Sequence, residues 1–253
     1  MSELSDLNPT TRFSDRVADY VRYRPSYPAA AIDTILDGLV AAERLTAADV
    51  GAGTGISARL LAERGVRVIA VEPNVEMQLG AEPHPRVAWQ TGTAEATGLD
   101  AGSVDLVLCA QAFHWFRQSE ALAEFHRILR PGGRLALMWN KRDSRDPLTA
   151  GYRQAIADVD GESAIEMREY DPGIMDRDGQ FTPATYFETP NEQRVDLAGL
   201  IGRATSASYV PKTGERFETL RNTLVRLHQQ YADAAGEVAL RYVTQVYLAR
   251  RLP

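Results

Sequence analysis

The chain has 253 residues and a net charge of −6, with 44% hydrophobic and 25% charged residues. These values are typical of one large domain, or one domain with a small accessory, and they exclude a disordered, collagen-like or disulfide-scaffold chain. Its single cysteine, Cys109, excludes an intrachain disulfide and a cysteine-based metal cage.

Two helices are predicted before residue 45. Residues 12–28 have helical periodicity, which Pro25 and Pro28 end. Residues 29–42 carry apolar side chains at the three- and four-residue spacing of a helix.

Five strands are then predicted, at 47–50, 66–71, 87–91, 104–110 and 135–139. Helices are predicted between them: over 57–64, after Asn74 as N-cap, and from Ser119 as N-cap to Leu129. Alternating strands and helices indicate βαβ units and therefore a parallel sheet.

The pattern changes after residue 140. We expect residues 141–184, which are rich in Asp, Arg, Gly and Pro, to form an irregular excursion that caps the sheet. Helices are predicted again at 197–204 and at 217–231, whose spaced leucines we assign to the core. Residues 238–248 predict a last strand.

No Gly/Ser-rich or Pro-rich linker divides the chain, so we predict one domain over residues 1–253. Its core would lie at about 45–140. Lid elements would lie at about 10–40 and 141–235.

The turn after the first predicted strand is the candidate ligand site, because ligands of open parallel sheets bind beyond the carboxyl ends of the strands. It reads D-V-G-A-G-T-G at residues 49–55. Glycines let the backbone turn tightly and approach a ligand, and the helix that follows offers free N–H groups. Glu72 ends the second strand, where a carboxylate can accept both hydroxyls of an adenosine ribose.

Two kinds of cofactor are compatible with this turn: a nicotinamide dinucleotide and a nucleoside that carries an α-ammonium group. Dinucleotide binders carry G-x-G-x-x-G, whereas this chain has G-x-G-x-G with Ile56 in place of the third glycine. Asp49, just before the turn, would repel a pyrophosphate and attract an ammonium group. A nicotinamide dinucleotide therefore fits less well than a nucleoside that carries an α-ammonium group, and an ordinary strand–helix turn is the plain alternative.

Five segments in order resemble the class I S-adenosylmethionine-dependent methyltransferases over about residues 47–140. They are D-V-G-A-G-T-G at 49–55, V-E-P at 71–73, G-T-A-E at 92–95, V-D-L-V-L-C-A-Q-A-F-H-W-F at 104–116 and L-R-P-G-G-R-L-A-L at 129–137. Shorter segments, among them A-D-Y-V-R-Y-R-P-S-Y-P at 18–28 and R-A-T-S-A-S-Y-V-P at 203–211, are similar to a small-molecule branch that includes trans-aconitate methyltransferase-like proteins.

The resemblance implies an α/β fold: a Rossmann-like, seven-stranded, mostly parallel sheet with helices on both faces and an antiparallel strand at its end. The N-terminal helix and the C-terminal insertions would form a lid. This is an analogy at the level of the fold and does not specify a reaction.

The resemblance also implies S-adenosyl-L-methionine as methyl donor, S-adenosyl-L-homocysteine as product, and a set of cofactor contacts. Asp49 would lie near the ammonium group, Glu72 would accept the ribose hydroxyls, and Gln111 would touch the methionine end. Many relatives carry an Asp at position 93, where this chain has Thr93 followed by Glu95. The implied cofactor residues are Tyr20, Arg24, Asp49, Gly51, Ala52, Gly53, Glu72, Pro73, Met77, Thr93, Ala94 and Gln111.

Methyl transfer from a sulfonium is an in-line displacement that needs proximity and the exclusion of water. The four histidines show no zinc-ligand spacing, so we expect no metal. His114, just past the fourth strand, is the candidate general base, since an imidazole with a pKa near 7 could take a proton from a hydroxyl or amine. The alternative is that His114 bonds the backbone while Trp115 and Phe116 pack over the cofactor.

We expect a small-molecule acceptor, and a carboxylate is one candidate because it is ionised at neutral pH and needs no base. Arg24, Arg142 and Arg203 are candidate partners for such a carboxylate, although the usual place of an arginine is the solvated surface. Three further candidates for the pocket wall are Trp139, Asn140 and Tyr209.

Three other functions stay open: a nicotinamide-dependent oxidoreductase, an RNA methyltransferase and a non-catalytic binding protein. The acidic balance weighs against RNA, and we expect no nucleic-acid partner and a monomer or homodimer. We also expect no membrane partner and a cytoplasmic location. No stretch reaches 18 apolar residues, and residues 1–9 lack the order of a secretion signal.

Overall fold

The computed structural model describes residues 17–160, 173–207 and 209–253. Its strands are β1 Thr46–Val50, β2 Arg67–Val71, β3 Val87–Gln90, β4 Val104–Ala110, β5 Leu129–Arg142, β6 Thr185–Val195 and β7 Val238–Arg250. They form one seven-stranded sheet in the order β3-β2-β1-β4-β5-β7-β6.

The α-helices in the described ranges are α1 Val17–Tyr23, α2 Ala29–Leu36, α3 Ile56–Ala62, α4 Val75–Leu79, α5 Gln118–Ile128, α6 Pro147–Asp160, α7 Ile174–Asp178, α8 Leu197–Thr205 and α9 Glu215–Tyr231. None of them is long and apolar enough to cross a membrane.

Strands β1 to β5 pair in parallel, and β7 pairs antiparallel with both β5 and β6. The mostly parallel, seven-stranded sheet is therefore confirmed, but β7 lies between β5 and β6 instead of at the end of the sheet. Because these strands are parallel, the carboxyl ends of β1, β2, β4 and β5 lie side by side along one edge of the sheet. The glycine turn begins at this carboxyl edge.

Apolar clusters cover both faces of the sheet. On one face Leu122 and Phe125 of α5 are fully buried in a cluster with side chains of β4 and β5. On the other face Ile32 and Ile35 of α2 and Leu61 of α3 are fully buried in a second cluster. Helices on both faces are thus confirmed, and β4 is apolar apart from Asp105 because both of its sides face a helix layer.

A third apolar cluster lies outside the two faces and joins α6, α8 and α9 to the start of β7. We call α1, α6, α8 and α9 the lid helices; α1 contacts α8, α6 contacts α9, and α8 contacts α9. The prediction of an irregular excursion over 141–184 is wrong for the described part, because α6 and α7 lie there. Residues 161–172 of that excursion, and residues 12–16 of the first predicted helix, lie outside the described residues.

Strand β6 was not predicted, and its position in the sheet shows why. It is an edge strand whose outward side chains are exposed, so its sequence T-Y-F-E-T-P-N-E-Q-R-V has few buried apolar residues. Pro190 is typical of a strand breaker, but an edge strand tolerates a proline because one side of the strand needs no partner. Residues 185–195 therefore belong to the sheet and not to the lid.

Several predicted boundaries are also wrong. The second helix ends at Leu36 and not near 42, just before Gly38 with φ of +69°. Helix α5 is preceded by Arg117, so Ser119 is not its N-cap. Strand β5 begins already at Leu129, six residues early, and its register with β4 shifts across the Pro-Gly-Gly turn that follows.

Candidate functional site

The glycine turn leaves β1 in a left-handed backbone conformation. Gly51, Gly53 and Gly55 have φ of +71°, +57° and +75°, a region that other residues rarely adopt. A Cβ on Gly51 would lie 2.6 Å from Cβ of Ala112 and 2.9 Å from Cζ of Phe116. Only glycine fits there because the Phe116 ring lies against the turn; packing of Trp115 and Phe116 over the cofactor stays a prediction.

Glu72 lies at the same turn although it comes from the end of β2. Its Oε2 accepts a hydrogen bond from the Gly53 N–H at 2.9 Å, and its Oε1 accepts one from the Asn74 N–H at 3.0 Å. Each carboxylate oxygen keeps a second lone pair for another donor. Burial raises the pKa of Glu72 while the bonds from Asn74 and Gly53 oppose that rise.

Asp49 is fully buried beneath the turn. Its Oδ2 accepts a hydrogen bond from the Ser57 hydroxyl at 2.7 Å, and its Oδ1 has no hydrogen-bond partner among the described residues. Burial raises the pKa of Asp49 to about 7, against the lowering effect of the bonds from Ser57 and from the Ala58 backbone. A buried acceptor without a donor is uncommon, and a cation or a water would satisfy this one.

The predicted adenine side is formed by α4 and the loop after β3. Asn74 begins α4 as its N-cap, since its side chain accepts the Met77 N–H at 3.1 Å, and this confirms the predicted cap. Met77 is 3% exposed and Pro73 is half-buried.

The loop at 93–96 is closed by two backbone hydrogen bonds between Thr93 and Ala96, and Ala94 is buried in the sheet-face cluster next to α5. The Glu95 side chain bonds to the residue before α5: its Oε1 accepts the Arg117 N–H at 2.9 Å. That bond caps the N-terminus of α5, where a carboxylate also meets the favourable end of the helix dipole. Glu95 therefore has a structural role at the start of α5.

Gln111, immediately after β4, is the one non-glycine residue with positive φ, +57°, in the described ranges. Its N–H donates to the Met138 carbonyl at 2.9 Å and its side-chain amide donates to the Asn140 carbonyl at 3.2 Å. A left-handed glutamine costs of order 1 kcal/mol, and such residues cluster at functional sites.

His114 lies in a short 3₁₀ turn, Phe113–Trp115, beyond β4. The indole N–H of Trp139 donates to its Nδ1 at 3.3 Å. Because an indole only donates, Nδ1 is unprotonated and the proton of the neutral ring is on Nε2. Burial, helped by the positive charge of Arg24, lowers the pKa of His114 to about 4, so His114 is a much weaker base than the expected pKa near 7 implied.

The three candidate arginines lie together around Tyr152, a fully buried tyrosine of α6. The Cζ of Arg142 lies 5.0 Å from the centroid of the Tyr152 ring. Burial raises the pKa of Tyr152, and the charges of Arg203, Arg142 and Arg24 each oppose that rise. Arg203 is only 4% exposed, so the expectation of a solvated surface position is wrong for it.

The N-terminal segment after α1 crosses this edge of the sheet and is held by side-chain amides. Asn140 and Asn191 both donate to the Ser26 carbonyl, at 3.1 and 2.8 Å, and Gln193 donates to the Tyr23 carbonyl at 2.8 Å. Asn140 thus holds the N-terminal segment in place, and its part in the wall of the acceptor pocket stays a prediction. Tyr20 lies on α1, and its side chain is outside the described part of the chain.

The structure therefore brings two groups of predicted residues together at one edge. Asp49, the glycines and Glu72 form the cofactor side, and His114 with the three arginines forms the lid side; Tyr209 also lies close enough to Arg203 to act on it electrostatically. Sequence reasoning missed Tyr152 because α6 was not predicted. Ser57 was also missed, although a hydroxyl in the first turn of the helix that follows a buried acid is a signal that could have found it.

Comparison with known proteins supports this arrangement. A model of the methyltransferase domain family matches residues 48–137, the span of the resemblance in sequence. An uncharacterized methyltransferase of Mycobacterium tuberculosis (strain ATCC 25618 / H37Rv) is 38% identical over 243 residues, covering 92% of each chain. An uncharacterized methyltransferase-like protein of Schizosaccharomyces pombe is 42% identical over 149 residues, 58% of this chain and 57% of its own.

Solved structures show the same fold. A candidate type II methyltransferase from Anaeromyxobacter dehalogenans superposes with a TM-score of 0.65 at 27% identity and covers 91% of this chain and 99% of its own. The phosphoethanolamine N-methyltransferase 2 of Haemonchus contortus, solved with phosphomonomethylethanolamine and S-adenosylhomocysteine, has a TM-score of 0.58 at 15% identity, covering 100% of this chain and 61% of its own. The second likeness concerns the fold alone.

The fold and the glycine turn define a class I methyltransferase, the class whose methyl donor is S-adenosylmethionine. The chain belongs to this methyltransferase family. The predicted enzyme class is confirmed, and the nicotinamide-dependent oxidoreductase is not supported. The narrower trans-aconitate methyltransferase-like branch stays a prediction.

Proposed function

We propose that this protein transfers a methyl group from S-adenosylmethionine to a small-molecule acceptor, at the edge of the sheet between the glycine turn and the lid helices. One observation carries the proposal: two buried carboxylates from neighbouring strands, Asp49 and Glu72, meet at a turn that only glycine can form. Both suit a ligand that carries an ammonium group and a ribose.

The residues present fit this donor. The unpartnered Oδ1 of Asp49 is a buried acceptor that an ammonium group, directly or through a water, would satisfy. Glu72 is fixed by the Gly53 and Asn74 N–H groups and keeps lone pairs for two hydroxyls. When bound, S-adenosylmethionine supplies a methyl group on a positively charged sulfur for in-line displacement.

The protein positions the methyl donor and the acceptor and excludes water from the space between them. The Phe116 ring lies against Gly51, and the lid helices add a buried apolar cluster beside the same edge. Excluding water keeps the acceptor close to the methyl group, and proximity of this kind supplies a large part of the rate in bimolecular transfers. His114, beside Trp139 and near Arg24, is a neutral ring with its proton on Nε2, and such a ring suits a hydrogen-bond donor that orients the acceptor better than a general base.

A small acceptor is favoured over RNA by where the positive charge lies. RNA binding uses exposed cations that contact phosphates along a surface. Here Arg203 is 4% exposed and lies beside the fully buried Tyr152, so a ligand that reaches it must enter the protein.

Calorimetric titration of the full chain with S-adenosylhomocysteine and, separately, with NAD tests the donor. We expect tight binding of the first and none of the second; binding of NAD alone would overturn the proposal. A transfer assay with methyl-labelled donor against carboxylic acids, phenols, amines and total tRNA then tests the acceptor class. If label enters tRNA in a salt-sensitive manner and enters no small molecule, the acceptor is RNA and the proposal of a small-molecule acceptor is wrong.

A further inference from the structure

The lid side holds a buried positive charge whose electrostatic neighbours, within the described residues, are tyrosines and not acids. Burial disfavours the charge of Arg203, the groups that act on it electrostatically are Tyr242, Tyr152 and Tyr209, and the Tyr242 side chain also hydrogen-bonds it. Its Nη1 approaches the Ser206 hydroxyl at 3.4 Å, and its Nε has no hydrogen-bond partner among the described residues. A buried guanidinium with a donor left over is costly unless an anion pairs with it.

Tyr152, on α6, is a second buried polar side chain with an unsatisfied group. It is fully buried, and its hydroxyl oxygen also lacks a hydrogen-bond partner within the described residues. The hydroxyl is a donor as well as an acceptor. Arg203 and Tyr152 therefore present two unsatisfied donors from two different lid helices, α8 and α6.

Two further arginines reach the same place from other elements. Arg142, at the end of β5, stacks its guanidinium on the Tyr152 ring and lies opposite Tyr242 in the β5–β7 register. Arg24, just after α1, donates to the Ser206 carbonyl at 3.4 Å, the residue that Arg203 also approaches. Four elements thus converge on one small volume with three positive charges.

We propose that Arg203, Arg142, Arg24 and Tyr152 form an oxyanion-binding pocket that anchors a carboxylate or phosphate group of the methyl acceptor. We call these four residues the anion pocket. Guanidinium groups suit both anions because their planar fork can donate two parallel hydrogen bonds to one carboxylate or phosphate. The inference rests on the proposed function and names the chemical class of its acceptor.

The anchored anion is not the atom that accepts the methyl group. An oxygen whose lone pairs are held by guanidinium groups is a weak nucleophile, so transfer takes place at a second group of the same molecule. Arg24 connects the two places, since its charge acts both on Tyr152 and on His114. The acceptor therefore carries an anionic end for the anion pocket and a nucleophilic atom near His114 and the glycine turn.

Thermal unfolding of the full chain, saturated with S-adenosylhomocysteine, in the presence of succinate, citrate or inorganic phosphate tests the pocket directly. We expect at least one of these anions to raise Tm of the unmodified protein, and Arg203→Met to abolish that rise. The control is Arg221→Met, an exposed arginine of α9 that pairs with Glu218 and should keep the full rise. A response to succinate or citrate but not phosphate identifies a carboxylate, and the reverse result identifies a phosphate.

Arg203→Met also separates a binding role from a structural one. Replacing a buried charge that has no ion-pair partner among the described residues by an apolar side chain removes the desolvation cost of that charge, so we expect Tm without anion to stay or rise. Arg203→Lys and Tyr152→Phe give a second measurement should the Met variant fold poorly. Both should weaken anion binding while they keep binding of S-adenosylhomocysteine.

The labelled-donor assay with matched acceptors completes the test. An acceptor with an anionic group should have a KM about 10- to 100-fold lower than its neutral counterpart, and Arg203→Met should remove that difference. Equal use of both acceptors by the unmodified protein, or no anion effect on Tm in any variant, would overturn the anion pocket. Binding of S-adenosylhomocysteine and methyl transfer would remain in that case, so the proposed function would stand.

Discussion

The two sides of the site carry opposite charge. The cofactor side is built on β1 and β2 and holds two buried acids, Asp49 and Glu72, whose hydrogen bonds come from Ser57 and from backbone N–H groups. The lid side is built on α1, α6, α8 and the end of β5, and it holds arginines and a neutral histidine.

This separation shows how one edge can serve two ligands. Buried acids and arginines placed together would pair and fill the site themselves. Kept on separate elements, each set remains available to a ligand of the opposite charge, a cation at the glycine turn and an anion beneath the lid. Every variant below should therefore change one side and leave the other ligand's binding unaltered.

The largest effect is expected for Gly51→Ala. The new Cβ would meet Ala112 at 2.6 Å and Phe116 at 2.9 Å, in a backbone with φ of +71°. We expect a loss of about 2–4 kcal/mol in the free energy of unfolding and loss of S-adenosylhomocysteine binding, measured by urea denaturation and calorimetry.

Gly102→Ala is the matched control for that variant, since Gly102 has φ of +61° and a Cβ added there would meet nothing within 4 Å. It should lose only about 1 kcal/mol, from the backbone conformation. Equal losses in the two variants would mean that close packing at the turn contributes nothing.

Glu72→Ala should weaken binding of S-adenosylhomocysteine about 10- to 150-fold, because it removes charge-assisted hydrogen bonds of about 1.5–3 kcal/mol. Calorimetric titration measures the change. Glu63→Ala, an exposed acid at the end of α3, is the control and should bind normally. An unchanged dissociation constant for Glu72→Ala would remove the assigned ribose contact.

Asp49 should couple cofactor binding to pH. Its pKa of about 7 means that it holds a proton below pH 7, whereas an ammonium ligand needs it ionised. Affinity for S-adenosylhomocysteine should therefore fall as the pH drops, roughly 25-fold from about pH 7.5 to about pH 5.5, with release of a proton on binding. Titrations in buffers of different ionisation enthalpy measure that proton.

The raised pKa of Asp49 also affects the free energy of unfolding without ligand. The folded state holds the Asp49 proton more tightly than the unfolded chain does. The contribution of Asp49 to stability should therefore be largest below about pH 4 and should fall as the pH rises to 7. Asp49→Asn should abolish both dependences. Persistence of the binding slope in that variant would assign it to another group.

The smallest effect is expected on the lid side, for His114→Ala. If Nε2–H only orients the acceptor, kcat/KM should fall about 2- to 12-fold, and His114→Gln, which keeps an N–H donor, should restore most of it. A loss of 100-fold or more in both variants would instead indicate a general base. Because the pKa of His114 is about 4, its titration should leave no inflection in the rate profile between pH 5.5 and 8.

The cofactor side could be predicted from sequence to a large extent. Its residues lie within about 25 positions of one another, at the ends of two short strands and in the turn between strand and helix, and a glycine turn has few possible conformations. The sequence could not predict that Glu95 caps α5, because a helix cap depends on which loop ends beside the helix.

The lid side could not be predicted as a unit. Arg24, Arg142 and Arg203 are 118 and 61 positions apart along the chain and are brought together by the tertiary packing of α1, α8 and the end of β5. Composition also gives no signal for a buried arginine, since most arginines are exposed. The one-domain organisation over residues 1–253 stays a prediction.

The fastening of the N-terminal segment has a further consequence. The Ser26 carbonyl is held by two neutral amides, from Asn140 and Asn191, and such hydrogen bonds are hardly affected by dissolved ions. Contacts between a guanidinium and an oxyanion weaken as ionic strength rises. Raising the salt concentration should therefore weaken binding of the acceptor while the N-terminal segment keeps its hydrogen bonds. Ionic strength would then change the affinity for the acceptor without displacing that segment.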